Sequence, residues 1–227
     1  MTGAEHELEV HDDEAAVARR GAELIAEAAR EAAAGRGSFR MSASGGQTPW
    51  AMYGQLEEFP LPWGEAEIYQ TDERIAPPGS PERNLTHLVA AFSIGAQGSL
   101  RPMPVDADAP DRAADVYAEQ LPEALELVHL GLGPDGHTAS LVPGDPVLEV
   151  DDRRVAVTAR PYQGTRRMTL TYPELARARR LLWIVTGESK REPLAKLLAR
   201  DPSIPAGRVE PRESLIIADR AAAPGDG

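Results

Sequence analysis

The feature that most constrains the fold is an alternation of short apolar runs with segments of helical periodicity. The runs 38–43, 125–133 and 180–187 have the length and composition of buried strands. Segments such as 17–32 and 190–200 keep apolar or small residues at helical spacing. Strands that alternate with helices predict an α/β fold, in which an open, mostly parallel, doubly wound sheet carries helices on both faces.

Two neighbouring strand-like segments depart from this alternation. The segments 153–159 and 166–171 have no helix between them, so they could form an antiparallel ribbon at an edge of the sheet. No repeat, linker or change in composition divides the chain, which predicts a single domain over residues 1–227. We expect the tail 220–227 to be disordered.

Composition excludes several classes of function. The chain has no cysteine, which rules out disulfides, thiolate metal sites and thiol catalysis. Its net charge of −12 argues against nucleic-acid and anionic-membrane partners. No stretch approaches the ~20 apolar residues that span a bilayer, and the acidic start lacks the layout of a signal peptide. We therefore expect a cytoplasmic protein, of an oligomeric state that the sequence does not reveal.

A glycine-rich turn follows the first central strand, in the segment SASGGQTP. Backbone N–H groups around Gly45 and Gly46, with a helix dipole behind them, can bind a phosphate or carboxylate. Ser44 and Thr48 add hydroxyl donors, and Thr48 before Pro49 is a favourable start for the helix. A tight connection that only needs positive φ is the alternative interpretation.

Other basic residues lie on or directly after predicted strands. Lys190 lies in the first turn of an expected helix, where an anionic ligand would relieve its conflict with the dipole. One of Arg166 and Arg167 should face a ligand, because side chains alternate along a strand. The tripeptide 72–74, Asp-Glu-Arg, is an expected loop after a strand. Ligands of open α/β sheets bind at the carboxyl ends of strands, where all these residues lie.

One histidine, His137, lies in the glycine-bounded corner GPDGH after a strand. The corner suggests either a plain turn into a helix that Asp135 caps, or a catalytic imidazole that Asp135 orients. Ser140 would follow on the same helix, in poor geometry for a nucleophile, so a catalytic His137 would activate water. No pair has metal-ligand spacing, and the two N-terminal histidines are expected in a mobile segment. The other four histidines are His6, His11, His87 and His129.

Together these segments resemble the 6-phosphogluconolactonase family. The resemblance implies a fold shared with glucosamine-6-phosphate deaminase/isomerase and hydrolysis of 6-phospho-D-glucono-1,5-lactone in the oxidative pentose phosphate pathway, without a required cofactor. GPDGHTASL and TDER are its most specific motifs. The segments that carry it, in matching order, are SASGGQTP, TDERIAPPGSPERN, GLGPDGHTASLVPG, RRMTLTYPEL and VTGESKREPLAKLL.

The resemblance also implies roles for single residues. His137 matches the catalytic histidine, with Asp135 in the same motif, and Arg74 matches the arginine of the Asp-Glu-Arg motif. Gln47 and Val142 depart from the family pattern, which usually has serine and phenylalanine there. The residues matching the phosphate site are Gly45, Gly46, Thr48, Arg167 and Lys190.

The chemistry agrees with this resemblance. A lactone is an activated ester, so a base, a positioned water and a site for oxyanion charge suffice. His137 would take the proton from water, and either Arg74 or backbone N–H groups would stabilise the oxyanion.

Two alternatives remain open. Asp72 matches the base of the deaminase/isomerases, although Val142 stands where those enzymes place a glutamate. A non-enzymatic domain that senses sugar phosphates is the second alternative.

Overall fold

The computed structural model describes residues 5–92 and 94–225. The strands of this part of the chain are β1 (His6–His11), β2 (Phe39–Ala43), β3 (Ala66–Gln70), β4 (Asp72–Arg74), β5 (Leu100–Arg101), β6 (Leu127–Gly131), β7 (Val155–Val157), β8 (Arg167–Leu170), β9 (Arg180–Val185) and β10 (Ser214–Asp219). Its α-helices are α1 (Glu14–Arg36), α2 (Gln47–Gln55), α3 (Asn84–Ala91), α4 (Ile94–Gln97), α5 (Pro110–Gln120), α6 (Tyr172–Leu175) and α7 (Arg191–Leu198).

Seven strands of the described chain form one parallel sheet, in the order β1-β10-β9-β6-β2-β3-β5. From β2 the chain continues to β3 and β5 on one side, and later to β6, β9 and β10 on the other. The order in which strands are added therefore reverses between β2 and β6. At this switch point the connections that leave the two strands run to opposite faces of the sheet and open a crevice. The predicted parallel, doubly wound fold is confirmed.

Both faces of this sheet are buried. Along β9, Leu182 and Ile184 belong to the core that packs against α1 and α2, whereas Leu181, Trp183 and Val185 belong to the opposite core. Side chains alternate between the faces of a strand, so a run of apolar residues buries both faces at once. This is why the central strands are continuously hydrophobic.

A second, small sheet accounts for the ribbon. β7 and β8 are antiparallel, as the sequence suggests, but they pair with β4 in the order β4-β8-β7 rather than at an edge of the large sheet. Residues 72–74, expected in a loop, form β4, and Glu73 is fully buried within it. The three-stranded arrangement places β4 and β8 beside the crevice.

Both ends of the chain differ from expectation. The segment thought to be mobile forms the edge strand β1, which pairs with β10 from His6↔Ser214 to His11↔Asp219. After β10, Ala222 is buried and donates its N–H to Asp219 Oδ1, at 2.8 Å. The predicted disorder is therefore wrong for residues 220–223, while 226 and 227 lie outside the described residues.

Two expected helix starts are also wrong. α2 begins at Gln47 with Gly46 as N-cap, so Thr48 does not cap it. No helix follows His137, because residues 138–141 close a tight turn through Leu141 N–H and Thr138 O. Ser140 therefore lies in this turn and not on a helix. No helix in residues 5–92 or 94–225 is long and apolar enough to cross a membrane.

Candidate active site

The crevice between β2 and β6, where the strand order reverses, is a cavity of about 550 Å³ beside the carboxyl ends of β2, β6 and β9. It brings together nearly all the residues singled out from the sequence, and Asp135 contacts it through His137. The predicted residues on its wall are Ser44, Gly45, Gly46, Thr48, Asp72, Arg74, His137, Arg167 and Lys190.

The corner that carries His137 is fixed by two glycines. A Cβ at Gly133 would overlap the imidazole, and the N–H of Gly133 donates to the carbonyl of His137 at 2.8 Å. Gly136 has a φ of 79°, and a Cβ there would collide with Ile204. Gly133 is needed because the imidazole occupies the space of a Cβ, and Gly136 is needed for its positive φ and its close approach to Ile204.

The imidazole of His137 is held by a carboxylate. Nδ1 lies 2.5 Å from Asp135 Oδ1, and Asp135 Oδ2 accepts a 2.8 Å hydrogen bond from the Tyr162 hydroxyl. An ionised carboxylate only accepts, so Nδ1 carries the proton and Nε2 keeps a lone pair. The ring therefore has the tautomer that a general base needs.

Electrostatics keeps Asp135 ionised. Burial opposes its charge, but the hydrogen bond and charge of His137, with the hydrogen bond of Tyr162, outweigh burial and hold the pKa of Asp135 below its usual range. Burial and the neighbouring carboxylate raise the pKa of Tyr162 to about 12, so this hydroxyl donates at neutral pH.

The glycine turn packs against Asn84. Gly46 has a φ of 139°, and a Cβ at Gly45 would overlap the Asn84 amide. Ser44 is buried, and its hydroxyl donates to the carbonyl of His129 at 2.8 Å. Ser44 thus ties the turn to β6, rather than offering its proton to the cavity.

Thr48 also has an internal partner. Its hydroxyl donates to Glu14 Oε1 at 2.6 Å and lies 2.8 Å from Thr186 Oγ1. Because Thr48 gives its single proton to Glu14, Thr186 is the donor in the second contact. The two hydroxyl protons point along a chain toward Glu14.

Two arginines face each other across the small sheet. Arg74 and Arg167 are directly opposed in the register of β4 and β8. Like charges in this position repel, and an anion in the cavity would relieve the repulsion. Burial lowers the pKa of Arg167, and the charge of nearby Asp72 partly opposes this effect. Arg166, by contrast, bonds the carbonyl of Thr158. Of the two arginines, Arg167 lines the cavity and Arg166 does not.

A third cation comes from the turn after β9. Gly187 has a φ of 92°, and its N–H donates to both carboxylate oxygens of Asp219, at 3.0 Å each. Lys190 lies at the N-cap of α7, one residue before the expected helix interior. Burial lowers the pKa of Lys190, against the opposing charge of Asp135. A bound anion would stabilise the charged form of this half-buried lysine.

Asp72 is a buried carboxylate on the wall of the cavity. Its Oδ2 accepts from the Ser140 hydroxyl at 2.6 Å, and its Oδ1 accepts from Asn84 Nδ2 at 3.2 Å. Glu73 points the other way and accepts the backbone N–H groups of Asn84 and Leu85, at 2.7 and 2.8 Å. The Asp-Glu pair thus divides between the cavity and the start of α3.

Several contacts lie outside the sequence prediction, namely those of Tyr162, Gln163, Asn84 and Glu14. The first two belong to the connection between β7 and β8, whose Gly164 is a turn signal. That signal could have placed the loop near Arg167, on the adjoining strand. Within residues 5–92 and 94–225, no group of three His, Asp or Glu side chains could hold a metal ion.

The fold and this cavity define a class: doubly wound α/β proteins with a cation-lined site where the strand order reverses. A family model described as glucosamine-6-phosphate isomerases/6-phosphogluconolactonase matches residues 12–218. The chain belongs to this family. It is 34% identical to the 6-phosphogluconolactonase of Synechocystis sp. over 202 residues, which cover 82% of this chain and 83% of that protein.

Solved structures share the fold across two activities. The 6-phosphogluconolactonase of Thermotoga maritima superposes with a TM-score of 0.86 at 22% identity, covering 95% of this chain and all of that one. A monomeric glucosamine-6-phosphate deaminase superposes with a TM-score of 0.82 at 17% identity, over 95% and 98% of the two chains. Fold alone therefore does not choose between the activities, and the side chains of the cavity must.

Proposed function

We propose that this chain hydrolyses 6-phospho-D-glucono-1,5-lactone to 6-phospho-D-gluconate, in the oxidative pentose phosphate pathway. One observation carries the proposal. A single cavity holds a histidine whose Nδ1 is fixed on a carboxylate, together with three cations suited to a phosphate. The relatedness to the Synechocystis enzyme supports the same assignment.

The proposed reaction needs one base that later acts as an acid. Nε2 of His137 takes a proton from water while the water oxygen attacks C1 of the lactone. Charge then develops on the carbonyl oxygen, and Asp135 stabilises the imidazolium. When the bond from C1 to the ring oxygen breaks, His137 returns the proton to that oxygen. At neutral pH the carboxylic acid product ionises, releasing one proton per turnover.

The phosphate would anchor the substrate at a distance from the reacting carbon. Arg74, Arg167 and Lys190 supply the charge, and the turn at Gly45 and Gly46 supplies backbone N–H groups near the start of α2. Interactions that are equal in the ground and transition states lower KM without raising kcat. The cation cluster therefore separates binding from chemistry.

A proton-release assay with fresh 6-phosphogluconolactone tests the proposal. We expect hydrolysis far above the spontaneous rate, unaffected by EDTA, and poor turnover of unphosphorylated gluconolactone. A rate equal to the buffer blank would refute the proposed activity. Binding of the sugar phosphate without turnover would favour the sensing domain instead.

A second candidate is glucosamine-6-phosphate deamination, which buried Asp72 on the cavity wall favours. Against it, the position where those enzymes carry a glutamate is Val142, which is buried and cannot move a proton. Release of ammonia from glucosamine 6-phosphate, measured beside the lactone assay, decides between the two reactions.

A further inference from the structure

The turn 162–165, in the connection between β7 and β8, contributes Gln163 to the cavity wall. It is closed by a hydrogen bond from Tyr162 N–H to Thr165 O, at 2.9 Å. Gln163 and Gly164 both have positive φ, 51° and 94°, the pattern of a type I′ hairpin turn. Glutamine adopts this conformation at a cost, so tertiary contacts must hold the turn in place.

One set of contacts joins the turn to Arg167. The guanidinium carbon of Arg167 lies 5.0 Å from the centroid of the Tyr162 ring. Arg167 Nη2 also donates to the carbonyl of Tyr162 and to Gln163 Oε1, at 3.3 Å each. The ring thus supports the cation on its face.

The other end of the same side chain reaches the proposed base. The Tyr162 hydroxyl donates to Asp135 Oδ2 at 2.8 Å, and its ring meets that of His137 edge-on at 5.2 Å. Asp135 uses its two oxygens for two partners, His137 on Oδ1 and Tyr162 on Oδ2. A carboxylate held at both oxygens cannot rotate away from Nδ1.

We propose that Tyr162 is a positioning residue that couples the two ends of the site: its ring carries Arg167, and its hydroxyl holds Asp135 against His137. This inference rests on the proposed lactonase function, in which Arg167 meets the phosphate and His137 activates water. The phosphate end and the hydrolytic end are then connected through one aromatic side chain.

Two substitutions separate the two halves of this role. Tyr162→Phe keeps the ring under Arg167 and removes the hydroxyl, so kcat for 6-phosphogluconolactone should fall roughly tenfold while KM stays within about twofold. Tyr162→Leu removes both contacts, so KM should rise by about three- to tenfold in addition. A parental kcat in Tyr162→Phe, or a parental KM in Tyr162→Leu, would overturn the proposal.

Asp135→Asn tests whether the hydroxyl acts through Asp135. If it does, adding Tyr162→Phe to Asp135→Asn should lower kcat by no more than about twofold further. The same tenfold loss in both backgrounds would show an independent, structural effect and overturn the proposal. Tyr172→Phe is the matched control, because Tyr172 also lies under an arginine, Arg208, at 5.0 Å and donates to a carbonyl, that of Pro205, but neither partner lines the cavity. It should keep the parental kcat and KM.

An NMR measurement on the whole chain keeps this inference distinct from the proposed function. The resonance of the His137 Nδ1 proton should move in Tyr162→Phe and stay in place in Tyr172→Phe. An unmoved resonance in Tyr162→Phe would overturn the coupling, whatever the activity. A parent protein that does not hydrolyse the lactone would instead refute the proposed function, and the resonance would still decide the role of Tyr162.

Discussion

Two histidines eight residues apart, one inside β6 and one just beyond it, have opposite environments. His129 is fully buried, and its Nδ1 lies 2.7 Å from the Tyr53 hydroxyl and 3.2 Å from the N–H of Ser44. Burial lowers the pKa of His129 to about 3. The side chain of His137 keeps 19% of its surface exposed, and a carboxylate holds its Nδ1.

The difference teaches that the partner of one ring nitrogen decides what a histidine can do. With only neutral groups around it, His129 stays uncharged and serves as an acceptor that fixes the glycine turn. With Asp135 behind it, His137 can accept a proton and have the resulting charge stabilised. The same residue type thus gives a structural group inside one strand and, in the proposed reaction, a catalytic group just beyond it.

Replacing each histidine in turn should give the largest difference between the two, and that difference should appear in kcat. His137→Asn should lower kcat by ~10²–10⁴-fold, because it removes the proposed general base. His129→Leu should keep kcat within about threefold, since His129 does not touch the reacting atoms. Initial rates at saturating lactone, corrected for spontaneous hydrolysis, measure both. Near-normal turnover in a folded His137→Asn variant would move the base elsewhere, with Asp72 as the next candidate.

Changing the partner should make His137 more like His129. Asp135→Asn retains the shape of the side chain but removes the charge that stabilises the imidazolium. A charge-assisted hydrogen bond contributes ~1.5–3 kcal/mol, so kcat should fall roughly ten- to a hundredfold. Full activity in Asp135→Asn would mean that the tautomer of His137, and not the charge of Asp135, is what matters.

Acid should expose the cost of keeping His129 neutral. An unfolded histidine titrates near pH ~6.5, so below that pH the unfolded chain takes up a proton that buried His129 refuses. The free energy of unfolding is therefore complete above pH ~6.5 and decreases as the pH falls toward 3, by about 2 kcal/mol at pH ~5 from this group.

Urea unfolding across this pH range measures the effect. His129→Leu should flatten the decrease, whereas Tyr53→Phe should lower stability at every pH and keep the parental slope. The remaining slope includes His6, where burial lowers the pKa to about 4. An equally steep decrease in His129→Leu would contradict the assignment.

The smallest effect concerns how firmly His129 holds the glycine turn. In His129→Leu the N–H of Ser44 loses its acceptor, so KM for the phosphorylated lactone should rise by about two- to fivefold. Lys190→Ala is the reference for loss of a direct phosphate contact, with an expected rise of roughly ten- to a hundredfold. If KM for unphosphorylated gluconolactone rises equally in His129→Leu, the turn does not act on the phosphate.

The sequence predicts the parallel sheet and gathers the candidate residues because both follow from one rule. Strands of a parallel sheet end on the same side, so Gly45, His137 and Lys190, each beyond a strand, had to meet there. The contact of Asn84 with Gly45 could not be predicted from the sequence. It depends on the side chain of Glu73, which turns inward and accepts the N–H of Asn84 at the start of α3. That inward turn is set by the pairing of β4 with β8, which local patterns do not encode.

The N-terminal strand β1 is a second element that the sequence did not predict. Of its apolar side chains, Leu8 and Val10 are 36% and 49% exposed, while charged residues occupy the neighbouring positions. An edge strand of this composition carries no buried stripe, and only its backbone pairing with β10 defines it. The alternation of Leu8 and Val10 with Glu7 and Glu9 is a period-two strand signal, but it extends over only two apolar residues.

The distribution of the site over two sheets gives the scaffold a modular character. Asp135 and His137 are carried by the large sheet, whereas Arg74 and Arg167 are carried by the three-stranded one. Each group thus depends on its own ladder of backbone hydrogen bonds, so substitutions in β4 or β8 can alter the proposed phosphate anchor without rebuilding the corner that holds His137 against Asp135. For an engineer, the small sheet is the place to diversify substrate choice, with Tyr162 kept as the link between the two parts.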